Sequence, residues 1–204
     1  MIHLPSPARN GGIALAEALD GRRTIRSFAP RPLSLDQLSQ LLWATYGVTD
    51  RRAGARTAPS AGALYPLDCY LAAGAKGVAG LTAGVYHYLP LDHALEAMIT
   101  GDKRREVARA SLNQLWMAEA PVMVIITAEY QRTMGRYRER GRRYVHMEVG
   151  HAGENLFLQG VAIGLGAGIV GAFDDEAVAE ALQLPARHEP LLICPVGYPA
   201  DASR

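Results

Sequence analysis

Residues 121–130, PVMVIITAEY, constrain the fold more than any other stretch, because an almost unbroken run of apolar, largely β-branched residues follows Pro121. Such a run is typical of a strand that is buried on both faces. Residues 144–165 repeat apolar side chains at intervals of three and four, which predicts a long, largely buried helix. The chain has 204 residues, of which 49% are hydrophobic and 20% charged, so it can supply the core that both elements require.

The remaining elements mix helices and strands without regular alternation. Helices are predicted at residues 13–19, 34–47, 102–110 and 174–184, with Ser34 and Gly47 as the caps of the second. Strands are predicted at residues 68–74, 84–90, 166–174 and 189–199, a loop at 49–63, and residues 92–102 fit either element. This order favours an α+β sheet over a doubly wound one. Without repeats or linkers, we expect one domain over residues 1–204, with residues 1–12 as a mobile N-terminal arm.

Composition excludes several classes of function. The formal net charge is +1, which argues against binding nucleic acid or a membrane surface through charge alone. No apolar run approaches the roughly 20 residues of a membrane-spanning helix, and the N-terminus lacks the apolar core of a signal peptide. The two cysteines, Cys69 and Cys194, lie too far apart in sequence for a disulfide scaffold or a cysteine-rich metal site. We therefore expect a cytoplasmic protein.

Three segments have the composition of a binding site. The first segment is rich in hydrogen-bond donors for a phosphate or carboxylate, namely Arg22, Arg23, Thr24 and Arg26. We expect Ile25 and Phe28 to anchor this segment to the core. Residues 57–66, TAPSAGALYP, contain small side chains that let the backbone approach a flat ligand. Residues 165–173, LGAGIVGAF, contain further glycines, but these follow a helix and precede a strand, the reverse of a Rossmann fingerprint. A solvated basic loop and plain loops are the alternative explanations.

Two other clusters are weaker candidates. Two histidines and two glutamates lie along the predicted long helix: His146, His151, Glu148 and Glu154. They form no HExxH pattern, so we predict no metal site. Residues 131–143 contain six arginines, interrupted by Glu139. We interpret this run as a solvated helix face or a dimer rim and not as a nucleic-acid surface.

Several of these segments together resemble the nitroreductase superfamily, and its SagB-type dehydrogenase branch in particular. The matching stretches are RRTIRSFAPRPLSLDQLSQLLWATYG, RTAPSAGALYPLDCYL, GVYHYLP, RYRERGRRYVHMEVGHAGENLFLQGVAIGLGAGIVGAF and PVGYP, between residues 21 and 199. The resemblance implies a homodimer with FMN at the interface and a central, mainly antiparallel sheet flanked by helices. It also implies hydride transfer through flavin N5, from NAD(P)H to a nitroaromatic or quinone, for which no acid or base side chain is strictly required.

The resemblance also assigns residues. Arg22, Thr24 and Arg26, with Arg23 beside them, match the contacts to the FMN phosphate and ribityl chain. The loop that covers the flavin of the partner subunit is matched by Pro59, Ser60, Ala61 and Gly62, and the positions near the flavin ring by Gly171 and Ala172.

Two alternatives remain open. A SagB-like dehydrogenase would oxidise a peptide-derived azoline with a Lys-Tyr pair, and this chain has Arg136 and Tyr137 there. Arginine is a poor general base, whereas Tyr137 can line the substrate face or donate a proton. The other alternative is a flavin-binding module without turnover.

Overall fold

The computed structural model describes residues 1–10 and 12–200. Its strands are β1 (Ile2–His3), β2 (Val48–Asp50), β3 (Ala55–Arg56), β4 (Leu67–Ala73), β5 (Gly84–Leu89), β6 (Ala94–Thr100), β7 (Val122–Ala128), β8 (Gly166–Ala167) and β9 (Glu189–Gly197). Its helices are α1 (Leu15–Gly21), α2 (Leu35–Tyr46), α3 (Arg104–Ala110), α4 (Tyr130–Tyr137), α5 (Arg140–Ala162) and α6 (Asp175–Leu182). Two 3₁₀ turns lie at Ala61–Ala63 and Leu115–Glu119.

A large antiparallel sheet forms the centre of the described part of the chain. Its strand order is β1-β6-β5-β4-β7-β9-β8. The apolar run after Pro121 becomes β7, which is buried throughout and pairs with β4 on one side and β9 on the other. Val124 and Ile126 pack with α2 and α5, whereas Met123 and Ile125 pack with α3 and α6 on the opposite face. The predicted α+β class is therefore confirmed.

The two helices that matter most for the site follow their sequence signals. At the start of α2, Ser34 Oγ accepts a hydrogen bond from Gln37 N, and the Gln37 side chain accepts one from Ser34 N. The predicted long helix is α5, which crosses the sheet next to β9. Gly153 permits this close approach, since a Cβ there would lie 2.8 Å from the Leu192 side chain.

Three segments differ from their predictions. The expected loop at 49–63 contains the β2–β3 hairpin, and the undecided segment 92–102 contains β6. The strand expected at 166–174 stops after β8. Gly168 N then donates to Pro195 O, and Val170 and Ile193 form an isolated antiparallel bridge in which each donates to the other. Pro195 has no N–H group, so it cannot complete the ladder opposite Gly168.

The N-terminal segment also differs from the mobile arm expected over residues 1–12, of which Gly11 lies outside the described residues. Strand β1 pairs with β6, Leu4 is buried, and Leu4 N donates to His93 O. Apolar residues at positions 2 and 4 explain why this end attaches to the sheet. None of the helices described is both long and apolar enough to cross a membrane.

Candidate functional site

The basic segment, residues 22–26, lies against the edge strand β8. Thr24 forms a parallel bridge with Ala167, and Ile25 N donates to Ala167 O over 2.9 Å. Phe28 is buried a few residues later, as the sequence predicts for an anchor of this segment. The backbone of the basic segment is therefore held next to the glycine-rich segment, residues 165–173, although the two are far apart in sequence.

The arginines of the basic segment differ in how fully their donors are used. Arg23 Nη1 donates to the backbone oxygens of Asp20 and Arg22. The Arg22 side chain is 37% exposed, and its Nε lies 3.9 Å from Glu154 Oε1, a distance typical of a weak ion pair. Arg26 is exposed, with its Cζ 5.9 Å from the centre of the Trp116 ring. Arg22 and Arg26 thus keep N–H groups available for an anion, whereas Arg23 has its Nη1 engaged with the backbone.

The glycine-rich segment offers open backbone beside these donors. Gly171 and Ala172 are exposed, and a Cβ on Gly171 would meet no atom within 4 Å. Within the described residues, no hydrogen bond involves the N–H of either one. Gly168 lies in tighter surroundings, where a Cβ would come within 2.7 Å of the Trp116 ring and 2.9 Å of Ile25 O. This combination of free amides and open space can accept the edge of a planar ligand, so the donor set fits FMN.

The Ser60 loop, residues 57–66, is held in an unusual backbone conformation. Gly62 has φ +64°, and the non-glycine residues Ala63 and Tyr65 also have positive φ, at +53° and +47°. Left-handed backbone is unfavourable for residues with a Cβ, so surrounding contacts have to maintain it. Ser60 supplies two of these contacts, because its Oγ accepts from Tyr65 N and its carbonyl oxygen accepts from Ala63 N.

The Arg136–Tyr137 pair lies directly beside this loop. A Cβ on Gly62 would come within 2.7 Å of Tyr137 Oη and 3.2 Å of Arg136 Nη1. Tyr137 is half-buried and packs edge-to-face on Tyr144, with ring centres 5.1 Å apart. The structure therefore brings the predicted catalytic pair to the predicted loop, in the same chain.

The predicted residues form two groups, each in contact with α5. One contains the basic and glycine-rich segments, and the other contains the Ser60 loop with Tyr137. Helix α5 contacts both through adjacent residues, since Glu154 faces Arg22 and Asn155 Nδ2 donates to Thr57 O. Within the described residues, no hydrogen bond or ion pair joins the two groups directly.

A buried network under the Ser60 loop was not predicted from the sequence. Glu148 is 2% exposed, and Tyr46 Oη donates to its Oε1 over 2.5 Å. Burial raises the pKa of Glu148 and outweighs the opposing effects of Ser60, Tyr46 and Arg56. The Arg56 guanidinium lies over the rings of Tyr46 and Tyr65. Glu148 follows Val145 by three positions on the apolar face of the long helix, a signal that could have marked it as buried.

Comparison with known proteins relates this fold to a known family. The family model described as Nitroreductase family matches residues 19–198. The chain belongs to the nitroreductase family. It is 44% identical over 185 residues to MJ1384 of Methanocaldococcus jannaschii, a protein named as a nitroreductase, and this match covers 91% of each chain. The fold and the family expected from the resemblance are both confirmed.

Two further relatives extend the comparison, and the first of them bears on the branch within the family. The chain is 30% identical over 160 residues to the microcin B17-processing protein McbC of Escherichia coli, covering 76% of this chain but only 58% of McbC. The crystal structure of a protein named as a nitroreductase from Ralstonia eutropha JMP134 matches 98% of this chain and 90% of its own, with 31% identity and a TM-score of 0.84. Membership of this family supports an oxidoreductase activity.

Proposed function

We propose that the protein is an FMN-dependent oxidoreductase that transfers hydride from NAD(P)H to a small conjugated acceptor, such as a nitroaromatic or a quinone. The observation that carries the proposal is the pairing of the basic segment with β8. This pairing holds donors for a phosphate against the glycine-rich segment, which carries exposed backbone amides at Gly171 and Ala172. Family membership adds the redox chemistry that these residues alone do not specify.

Each group of residues has a separate task in this proposal. Arg22, Thr24 and Arg26 bind the FMN phosphate and ribityl chain, and Arg23 stiffens the segment through its own backbone contacts. Gly171 and Ala172 receive the ring edge, and Pro59, Ser60, Ala61 and Gly62 cover the flavin held by the partner subunit of a homodimer. When bound, FMN supplies N5 as the atom that accepts and donates hydride. The protein orients the ring and excludes water from it.

The first test is a visible absorption spectrum of the purified protein before and after anaerobic NADPH. A flavin spectrum that bleaches supports the proposal. A flavin spectrum that NADH and NADPH both leave unchanged points to a dehydrogenase whose flavin is reduced by its own substrate, or to a binding module without turnover. A colourless protein that does not bind added FMN refutes the cofactor assignment.

The phosphate assignment has its own test. Arg22→Ala and Arg26→Ala each remove a charge-assisted hydrogen bond, and partial solvent exposure reduces its value, so we expect the FMN Kd to rise about tenfold. Arg51→Ala is the matched control, because Arg51 is also an exposed arginine but lies in the β2–β3 hairpin. Unchanged FMN affinity in both Arg22 and Arg26 variants contradicts the assignment.

A second candidate function is oxidation of a peptide-derived azoline, as in the SagB-type branch. Two observations favour it: the match to McbC and the position of Tyr137 beside Gly62. Arginine is a poor general base, so Tyr137 is the group that would exchange a proton with the substrate. Turnover of a thiazoline that disappears in Tyr137→Phe but persists in Tyr144→Phe supports this function. Rapid quinone reduction without any azoline turnover argues against it.

A further inference from the structure

Arg132, on α4, contacts Glu129 three positions earlier and two residues of segment 65–68, which is distant from it in sequence. Its Nη1 lies 2.8 Å from Asp68 Oδ2 at the start of β4, and its Nε donates to Glu129 Oε2 over 2.9 Å. The same Nη1 donates to the carbonyl oxygen of Tyr65 over 3.3 Å. The Arg132 side chain is 35% exposed, so the guanidinium is partly shielded from water. One planar cation therefore connects the sheet, the start of α4 and the Ser60 loop.

The contact with Tyr65 falls at the strained end of the loop. Tyr65 has φ +47°, and Glu129 N donates to the carbonyl oxygen of the next residue, Pro66. At this end, Arg132 and Glu129 thus hold two consecutive carbonyl groups. Because left-handed backbone is unfavourable for a tyrosine, the loop would relax if these contacts were lost.

The partner of Arg132 in the sheet is kept ionised by its surroundings. Burial alone would raise the pKa of Asp68, but the hydrogen bond from His87 and the charges of Arg132 and His188 outweigh it and lower the pKa. His188 in turn is hydrogen-bonded through Nδ1 to Tyr70 Oη. Asp68 is therefore a fixed negative charge that holds Arg132 in place.

We propose that Arg132 is a positioning residue for the Ser60 loop, holding Tyr65 through a guanidinium that Asp68 and Glu129 orient. The inference rests on the proposed function only in one respect, namely that this loop covers the flavin. Arg132 does not itself touch the predicted flavin-binding residues. Its effect passes through Tyr65 to Ser60 and from there to the loop turn at Gly62, which faces Tyr137.

Three variants separate positioning from simple charge pairing. Arg132→Lys keeps a cation near Asp68. It lacks the planar guanidinium that contacts Asp68, Glu129 and Tyr65 at the same time. Arg132→Met removes the charge. Arg142→Met is the matched control, since Arg142 also pairs with a glutamate three residues earlier, Glu139, but among the described residues forms no hydrogen bond with the loop.

The direct measurement is hydrogen exchange at the amides of Ala63 and Tyr65. Both amides donate hydrogen bonds to Ser60. We expect exchange about tenfold faster in both Arg132 variants, as for one lost charge-assisted hydrogen bond, and unchanged exchange in Arg142→Met. Exchange in β4 and β7 should stay at the wild-type rate in Arg132→Lys. The proposal is overturned if Arg132→Lys retains wild-type loop exchange, or if exchange accelerates equally in the strands. Should Arg132→Met fail to fold, the lysine variant alone decides.

Flavin binding provides a second readout that separates this inference from the proposed function. If the loop covers the flavin, the FMN Kd of Arg132→Lys rises by a factor similar to the loop exchange, without a change in melting temperature. If the wild-type protein binds no flavin, the proposed function fails, but exchange at Ala63 and Tyr65 still tests Arg132. Faster loop exchange with an unchanged FMN Kd supports the role of Arg132 and refutes the covering role of the loop.

Discussion

Removing the hydroxyl of Tyr46 should destabilise the protein because it leaves a buried carboxylate without its donor. Tyr46 is fully buried, and its Oη donates to Glu148 Oε1 over 2.5 Å while also accepting from Leu67 N. A hydrogen bond to a charged group contributes about 1.5–3 kcal/mol. For a chain of this length, Tyr46→Phe should therefore lower the melting temperature by about 3–12 °C.

The effect should also depend on pH in a defined direction. Burial raises the pKa of Glu148, and loss of the Tyr46 donor raises that pKa further, because only the ionised carboxylate needs the hydrogen bond strongly. When the pKa of a carboxyl group is higher in the folded than in the unfolded state, the protein loses stability as the pH rises from the unfolded pKa through the folded one. The destabilisation in Tyr46→Phe should thus be largest at pH 8 and should shrink toward the usual acid range of glutamate.

Tyr86→Phe is the matched control for this experiment. Tyr86 is equally buried, but its Oη donates to the neutral carbonyl oxygen of Thr82 over 2.8 Å. We expect a loss of about 0.5–1.5 kcal/mol with no dependence on the titration of Glu148. Urea denaturation at pH 5 and pH 8 measures both variants. Equal losses for Tyr46→Phe and Tyr86→Phe at both pH values would refute the reasoning.

Three further predictions follow from individual contacts. Gly62→Ala should loosen the Ser60 loop, because alanine is strained at φ +64° and its Cβ would collide with Tyr137 Oη; combining it with Tyr137→Phe should recover part of the loss in melting temperature. Gly168→Ala should weaken FMN binding, since the new Cβ would displace Ile25 and Trp116; titration with FMN measures the effect, which Gly150→Ala on α5, where a Cβ meets no atom within 4 Å, should not reproduce. Burial lowers the pKa of His188, so its contribution to the free energy of unfolding should decline as the pH falls below about 6.5. His188→Gln should flatten this part of the stability curve, and an unchanged curve would contradict the assignment.

Local sequence signals predicted the elements that depend on residues close together in the chain. The continuous apolar run of β7, the capping residues of α2 and the three-and-four spacing of α5 each specify an element without reference to distant residues. Motifs spread over residues 21–199 also led to the family, which the family model confirmed. The site residues assigned through that resemblance remain predictions.

Long-range pairing decided what the sequence left open. Residues 92–102 fit a strand only because β5 offers a partner, and the strand predicted at 166–174 ends early because Pro195 lies opposite Gly168. The hairpin of β2 and β3 was missed for a similar reason, since two such short strands carry too few residues for a periodic pattern.

The same distinction holds for the candidate site. The sequence by itself determined which residue types are available: arginines for an anion, glycines for close approach, and a tyrosine beside them. Only the tertiary structure decided that Tyr46 meets Glu148 across 102 positions and that Arg132 meets Tyr65 across 67. The physical reason is that a buried or bridging charge is stabilised by whichever partners the packed chain brings to it. Sequence spacing carries no record of those partners.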